Sequence, residues 1–210
     1  MQSKENRKTI QEFKDDIAKW AREDNEELYT YEFNNIKFPT CKKKYNAFYH
    51  LNDGLNKTNN EHLNIRFYNC DFVGNVDFKN IFKAKNITFK DTHFYENVLF
   101  LNQNIENLFL FEECTVYKDI SFQNMNFMNT TSFIGTLFKS KLEFLHVKFY
   151  NLALFNTCKI ENIKLENTFF IDEANFLNMQ NDKEEEIESK NIFDRETARN
   201  IKDSLQNKLL

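Results

Sequence analysis

The residues of this chain that could bind a metal or carry a covalent reaction are few. The sequence has four cysteines and four histidines, the latter being His50, His62, His93 and His146. A structural zinc site or a redox pair would place Cys or His residues at short spacings such as CxxC, and no such pair occurs. The chain has only three glycines, so it contains no phosphate-binding loop and no dinucleotide fingerprint. The sequence therefore predicts neither a metal nor a cofactor.

The elements that must position any functional residue are repeated ones. Nine phenylalanines recur every eleven residues, at Phe67, Phe78, Phe89, Phe100, Phe111, Phe122, Phe133, Phe144 and Phe155. A second bulky series lies between them, at Phe72, Phe94, Ile105, Val116, Phe127, Phe138, Phe149 and Ile160, with Lys83 at the expected slot beside Phe82. Bulky residues thus alternate at intervals of five and six. A period this strict is typical of a solenoid.

Each repeat unit has the pattern of a short strand followed by a turn. A smaller side chain, such as Ile65, Cys70 or Val76, stands two positions before most bulky residues. Residues two apart in extended chain point to the same side, so each pair faces inward. Asparagine is frequent two positions after the bulky residue, and it tolerates the left-handed conformation that a corner needs. These asparagines are Asn69, Asn80, Asn102, Asn107, Asn124, Asn129, Asn151, Asn162 and Asn167.

From Ile65 to Asn178 the chain resembles the pentapeptide-repeat family, whose unit is a small residue, a polar residue, a central Leu or Phe, and two polar residues. The units that match are Cys70-Asp71-Phe72-Val73-Gly74, Thr92-His93-Phe94-Tyr95-Glu96 and Ala174-Asn175-Phe176-Leu177-Asn178. The resemblance implies an all-β solenoid, a right-handed quadrilateral β-helix of about five to six coils. Because every second side carries an extra residue, we expect coils of twenty-two residues. After Ile160 the spacing relaxes, which predicts a return to plain five-residue units.

A coil of twenty-two residues predicts which side chains lie above one another, about 4.8 Å apart. One interior column then alternates Cys70, Thr92, Cys114, Thr136 and Cys158. Successive cysteines of this column are two coils apart, roughly 9–10 Å, which is too far for a disulfide. We therefore expect small, buried, reduced thiols. The phenylalanine columns fill the bore and leave little room for a cavity.

Catalysis has little support in this register. No histidine has a Cys, Asp or Ser partner at a spacing that brings the two together, and His93 and His146 face outward. The acid pairs Glu112-Glu113 and Asp172-Glu173 lie at predicted turns and need no chemical role to explain them. We therefore expect a protein that is not an enzyme.

The regions outside the repeats divide the chain into four parts. Residues 1–30 are expected to form a helical cap, because Thr9-Ile10-Gln11-Glu12 is a capping box that precedes an apolar face. Residues 31–62 are a first irregular coil with a loop insertion, and residues 63–180 are the β-helix. Residues 181–210 are an acidic linker and a helix with one apolar stripe, formed by Ala198, Ile201, Leu205 and Leu209.

The C-terminal helix has two interpretations. It is a cap over the last coil, or it is a dimerisation helix that makes a homodimer, since several pentapeptide-repeat proteins pair through their carboxyl ends. Residues 194–202 also resemble a segment that follows the repeats in longer bacterial relatives, some of which continue into membrane-channel helices. A cytosolic repeat domain related to such proteins is thus one functional alternative. No apolar run could span a membrane, and no signal segment is visible, so a cytoplasmic location is expected.

Surface charge bears on the family's best-characterised activity, which is to imitate DNA and bind DNA gyrase or topoisomerase IV. The net charge is −4, and the segment from Leu63 to Leu177 contains thirteen acidic and eleven basic residues. This small excess of acidic residues gives a weak negative electrostatic field for a DNA mimic. Modulation of gyrase or topoisomerase IV by DNA mimicry is kept as an alternative function. The sequence shows no stripe of basic residues, so direct binding of nucleic acid is not predicted.

The remaining hypothesis is a non-enzymatic protein-interaction scaffold for an unidentified protein partner. Some residues at predicted outward positions are apolar, and exposed apolar ladders on solenoids are natural partner sites. The predicted partner-binding surface comprises Val73, Tyr95, Tyr117, Leu99, Leu101 and Leu145.

Overall fold

The computed structural model describes residues 29–38, 63–78 and 86–181. In these ranges the chain is all β, and parallel strands stack into a solenoid of about five turns. The strands are β1 (Tyr29–Asn34), β2 (Lys37–Phe38), β3 (Leu63–Tyr68), β4 (Asp71–Phe72), β5 (Val76–Phe78), β6 (Asn86–Lys90), β7 (His93–Phe94), β8 (Val98–Ile105), β9 (Phe109–Glu112), β10 (Thr115–Val116), β11 (Ile120–Phe127), β12 (Thr131–Ser132), β13 (Leu137–Leu145), β14 (Lys148–Phe149), β15 (Ala153–Leu154), β16 (Lys159–Glu166), β17 (Phe169–Phe170), β18 (Ala174–Asn175) and β19 (Gln180–Asn181). The predicted all-β solenoid is confirmed.

Each coil presents four faces, which we label A to D in chain order. Face A carries β1, β3, β6, β9, β12, β15 and β18. Face B carries β2, β4, β7, β10, β19 and the beginnings of β13 and β16. Face C carries β5, the beginnings of β8 and β11, and the ends of β13 and β16. Face D carries the ends of β8 and β11, together with β14 and β17.

The strand register confirms the twenty-two-residue coil. Phe67 pairs with Phe89 on face A, Phe72 with Phe94 on face B, and Phe100 with Phe122 on face C. In the first coil Phe33 pairs with Phe67, an offset of 34 residues that is twelve more than a regular coil. Residues 39–62, which account for this larger offset, lie outside the described ranges.

The last coil is one residue shorter than the regular coils of twenty-two residues. Phe138 pairs with Ile160, but Lys141 pairs with Asn162, so the offset falls from 22 to 21 at a register shift in the β13–β16 ladder. The offset then stays at 21 through Phe149 with Phe170 and Ala153 with Ala174. The predicted return to plain five-residue units is therefore wrong. One residue is missing from a single corner, and the six-residue step from Phe170 to Phe176 is retained.

The two kinds of step turn their corners differently. The five-residue steps, which follow faces A and C, pass through one residue with positive φ. After the first coil these residues are Asn69, Asp91, Asn102, Glu113, Asn124, Gly135, His146, Thr157, Asn167 and Asn178. The left-handed conformation predicted for asparagine is thus confirmed at four of the nine named positions. It is wrong for Asn107, Asn129, Asn151 and Asn162, which have no positive φ, and Asn80 lies outside the described residues.

Asparagines at the other corners act through their side chains. Asn129 Oδ1 accepts a hydrogen bond from the Thr130 backbone N–H at 2.7 Å, and Asn151 Oδ1 accepts one from the Leu152 N–H at 2.7 Å. Each amide oxygen therefore satisfies a backbone donor just before a face A strand begins. The prediction grouped these asparagines with the left-handed ones because both kinds stand two positions after a bulky residue. The step length separates them, since Asn129 and Asn151 lie in six-residue steps.

The inward side chains form a continuous aromatic core. Phe78, Phe100 and Phe122 stack in parallel with 4.6 Å between successive ring centroids. The predicted column of Cys70, Thr92, Cys114, Thr136 and Cys158 is buried throughout. Its side chains donate to backbone carbonyls, as when Thr136 Oγ1 bonds Phe111 O at 2.7 Å and Cys158 Sγ bonds Phe133 O at 2.9 Å. Both residue types suit this column because each is a small side chain with one donor.

The predicted helical caps at residues 1–30 and 181–210 fall almost wholly outside the described residues. The stripe of Ala198, Ile201, Leu205 and Leu209 belongs to this part of the chain and stays a prediction. Within the described ranges, no helix is long and apolar enough to cross a membrane.

Candidate functional site

The outer surface of face B holds a ladder of stacked side chains. Each member stands one position after an inward residue, namely Phe72, Phe94 or Val116. Val73, Tyr95 and Tyr117 bond to the coil before them, with Tyr95 N donating to Phe72 O and Tyr117 N to Phe94 O, both at 2.9 Å. The two tyrosine rings stack at 4.9 Å between centroids and 5° between planes. Tyr95 remains 37% exposed. We call Val73, Tyr95 and Tyr117 the face B ladder.

A cation ends this ladder. Lys139 occupies the same position one coil after Tyr117, and its Nζ lies 4.4 Å from the centroid of the Tyr117 ring. A cation at this distance is attracted by the negative face of the ring. The lysine therefore covers one side of the stack.

A histidine and a carboxylate lie beside the face B ladder. His93 Nδ1 is 3.2 Å from Asp71 Oδ1, and the two residues are register neighbours on β4 and β7. The expectation that no histidine has an acidic partner in this register is wrong for His93, because a separation of 22 residues is one whole coil. The His93 ring also meets Tyr95 and Tyr117 edge-on, at 6.1 and 6.4 Å between centroids.

The carboxylate also acts on the ladder. The pKa of Tyr95 is raised above its ordinary value by partial desolvation and then by the negative charge of Asp71. The phenol is protonated at neutral pH in any case, so Tyr95 is a hydrogen-bond donor with the Asp71 carboxylate within its reach. A His–Asp pair can orient a base, but the ring contacts of His93 are with tyrosines rather than with a Ser or Cys. His93, Asp71 and the two tyrosines thus form one polar and aromatic cluster on the outer surface of face B.

The other predicted surface residues lie on a different face. Leu99, Leu101 and Leu145 are half-buried on face C. Leu99 has Asp77 and Ser121 as its register neighbours, and Gln123 separates Leu101 from Leu145. The structure therefore does not bring these leucines together with Tyr95, nor into one apolar column.

A second exposed ladder, on face D, was missed by the sequence reasoning. Met128, Tyr150 and Ile171 are 44%, 37% and 55% exposed. Their backbone N–H groups donate to Ile105, Phe127 and Phe149 carbonyls at 2.8 Å, which stacks the three residues in successive coils. We call them the face D ladder. Each follows an inward bulky residue by one position, so the same reading that found Tyr95 could have found Tyr150.

The charged side chains on the outside are mixed in sign. Arg66 pairs with Glu32 at 3.0 Å, Lys90 with Glu113 at 3.5 Å and Lys164 with Glu166 at 2.8 Å. Among the described residues, no outward column holds acidic side chains in three successive coils. The longest acidic run is Asp91 followed by Glu113, and Lys90 neutralises part of it.

Interior thiols are the remaining reactive groups. Cys70, Cys114 and Cys158 are free and buried. Burial raises the pKa of Cys70 from 9.0 to about 11 and that of Cys158 to about 12, and it raises the pKa of Cys114 further. Because the thiolate is the reactive species, these cysteines are inert. The described residues also contain no group of three His, Cys, Asp or Glu side chains arranged to hold a metal ion.

The geometry therefore offers two outward ladders, on faces B and D, and one polar pair beside the first. Comparison with protein-family models, with curated proteins and with solved structures found no match.

Proposed function

We propose that this protein is a non-enzymatic scaffold that binds a protein partner through face B. The observation that carries the proposal is the stacked pair of exposed Tyr95 and half-buried Tyr117, which lies beside His93 and Asp71 on a regular parallel sheet. Tyrosine supplies a large amphipathic contact area with few rotatable bonds, and it is enriched among residues that dominate binding energy.

The solenoid lowers the entropic cost of such binding. Backbone hydrogen bonds from Tyr95 to Phe72 and from Tyr117 to Phe94 fix both residues to neighbouring coils. The stacked rings and Lys139 restrict the side chains further. A partner that contacts this surface therefore orders few groups on the scaffold, which is the advantage of a preorganised site.

The repeat pattern supports the family proposal. We propose that the solenoid is a right-handed quadrilateral β-helix of the pentapeptide-repeat kind, with the five- and six-residue steps described above. Its buried free cysteines fit a reducing compartment, which supports a cytoplasmic location. The alternative of a DNA mimic directed at gyrase or topoisomerase IV needs a continuous acidic face. The described outward columns mix Lys with Asp and Glu, so the charge pattern favours the scaffold.

The test is a pull-down from the source cytosol with matched tyrosine variants. Tyr95 and Tyr150 are both 37% exposed, but they lie on faces B and D. We expect Tyr95→Glu with Tyr117→Glu to lose the captured partner, and Tyr150→Glu to retain it. A partner that binds all three proteins equally would contradict a role for face B. A gyrase supercoiling assay with excess protein tests the DNA-mimic alternative, for which we expect no inhibition.

A further inference from the structure

The face B ladder is covered unequally at its two ends. Its residues lie in successive coils, about 4.8 Å apart, in the order Val73, Tyr95 and Tyr117, with Lys139 next. Tyr117 has the Tyr95 ring on one side and the Lys139 ammonium on the other, and it is half-buried. Tyr95 has only Val73 on its second side and is 37% exposed. Because valine is much shorter than tyrosine, Val73 covers only the part of the Tyr95 ring nearest the backbone.

We propose that this less covered ring face of Tyr95 binds the guanidinium of an arginine side chain of the partner. The inference deepens the proposed function and rests on it, because the arginine belongs to the protein that face B binds. The bound guanidinium takes on Tyr95 the place that Lys139 takes on Tyr117, so the stacked pair lies between two cations.

Asp71 supplies the negative charge for such a cation. It stands two positions before Val73, so both side chains lie on the outer side of the same coil. Its Oδ1 is 3.2 Å from His93 Nδ1. The pKa of Tyr95 is raised by desolvation and then by the charge of Asp71 and a hydrogen bond to it, so the carboxylate lies close to this tyrosine. A carboxylate has about four acceptor sites, and these two contacts leave room for a guanidinium.

The shape of the space favours arginine over lysine. A guanidinium is planar, lies flat on an aromatic ring and donates to a carboxylate from its edge. The layer beside the Tyr95 ring is one coil thick, about 4.8 Å, which suits a flat group in contact with the ring. An ammonium is more strongly hydrated and loses more on leaving water. Lys37 is the register neighbour of Asp71 in the preceding coil, so a cation of the partner competes with a lysine for the carboxylate. The planar contact with the ring favours arginine in this competition.

Face D provides an internal control for this site. Tyr150 is also 37% exposed and occupies the corresponding outward position. Where face B has Asp71, face D has Asn126. Where face B has His93, face D has Lys148. A cation that approaches Tyr150 therefore meets a lysine and an amide in place of the histidine and the carboxylate, and we expect it to bind less well.

The test is an NMR titration of the full chain with isotope-labelled tyrosine rings, and the probe is N-acetyl-arginine-N-methylamide. Tyr95→Phe and Tyr150→Phe assign the two ring signals. We expect the probe to shift the Tyr95 signals and to leave those of Tyr150 unchanged. N-acetyl-lysine-N-methylamide at the same ionic strength should shift the Tyr95 signals less. Equal shifts at the two tyrosines would overturn the site, and equal effects of the two probes would overturn its assignment to arginine.

Two variants remove the site in different ways. Val73→Tyr places a ring against Tyr95, and tyrosine is already accommodated at this position in the next two coils. Asp71→Asn removes the carboxylate. Both should abolish the arginine-dependent shift of the Tyr95 signals. Asp91→Asn is the matched control, because it makes the same change of charge at an exposed corner whose φ of 50° suits asparagine, and it should retain the shift. A shift that survives in both Val73→Tyr and Asp71→Asn would overturn the proposal.

The arginine contact and the proposed function fail by different results. If Tyr95→Glu with Tyr117→Glu loses the captured partner while the probe leaves Tyr95 unshifted in the unmodified chain, face B binds the partner and the arginine contact is wrong. If that double variant retains the partner while the probe shifts Tyr95, the ring face binds arginine and the proposed function is wrong. When both hold, Asp71→Asn captures less partner than Asp91→Asn.

Discussion

The ring of Phe111 stacks on Phe94, at 5.2 Å between centroids and 19° between planes, although its register neighbour is Phe89. The contact with Phe89 is tilted by 56°. The cause is a pair of substitutions in the repeat. Phe109 occupies a slot that holds Ile65 and Ile87 in earlier coils, and Val116 occupies one that holds Phe94 and Phe138. The Phe111 ring occupies the space that the smaller Val116 leaves, and the Phe109 ring occupies the space that Phe111 would otherwise fill.

This exchange of volume predicts strong coupling between positions 109 and 116. Phe109→Ile alone should lower the free energy of unfolding by about 1–3 kcal/mol, since it leaves a cavity. Val116→Phe alone should cost a similar amount, because the Phe111 ring already fills that space. The double variant should recover at least about 1 kcal/mol of the summed loss. Urea denaturation of the four proteins measures the cycle.

A distant pair supplies the control for this cycle. Val116→Phe combined with Phe149→Ile changes the same two residue types, but Phe149 lies on face D beside Phe127 and Phe170. We expect these two effects to add within about 0.5 kcal/mol. Additivity at positions 109 and 116 as well would mean that the rings adjust independently.

The buried thiols predict a loss of stability in alkali. Folding raises the pKa of Cys70 from 9.0 to about 11 and that of Cys158 to about 12. Above pH 9 the unfolded chain releases these protons while the folded chain keeps them. The contribution is therefore complete below about pH 9 and declines as the pH rises toward 11–12. Unfolding free energies measured across this window should fall with pH.

The control for the alkaline effect uses the column itself. Thr92 and Thr136 alternate with the cysteines and make the same kind of bond to a carbonyl. The triple variant Cys70→Thr, Cys114→Thr, Cys158→Thr should fold and should show a shallower decline. An unchanged slope would assign the alkaline loss to lysines or tyrosines instead.

The two types of corner predict opposite preferences for glycine. Asn124 has a φ of 52°, whereas Asn129 has no positive φ and accepts a bond from Thr130. At position 124 we expect alanine to be about 1 kcal/mol less stable than glycine, because the left-handed conformation crowds a Cβ. At position 129 alanine should equal or exceed glycine. Chemical denaturation of the four single variants decides the point, and the same order at both corners would contradict the assignment.

The outward position of the face B ladder predicts tolerance to charge. Tyr95→Glu with Tyr117→Glu should keep cooperative unfolding, since neither side chain enters the bore. The loss should be of the order of 1 kcal/mol, from the lost ring contact and from repulsion with Asp71. Phe94→Glu, one position away, should abolish folding because Phe94 is completely buried. Near-identical denaturation of the two proteins would reverse the inside and outside assignments.

Much of the fold followed from the sequence. The phenylalanine spacing determined the coil length, the Cys and Thr column, and the inward set, because a chain of short strands can bury bulky residues only by stacking them in register. The same alternation of side chains also predicted the outward position of Tyr95. The sequence also contained Met128, Tyr150 and Ile171, whose role as a ladder needed only the same rule.

Only the tertiary structure decided how the units adjust to one another. His93 meets Asp71, and Phe111 leaves its own column for Phe94, through contacts between coils that a linear repeat does not display. The left-handed conformation separates Asn124, in a five-residue step, from Asn129, in a six-residue step, although both stand two positions after a bulky residue. The physical reason is that periodicity sets which residues are neighbours, while volume, charge and corner geometry among those neighbours set the arrangement that they adopt.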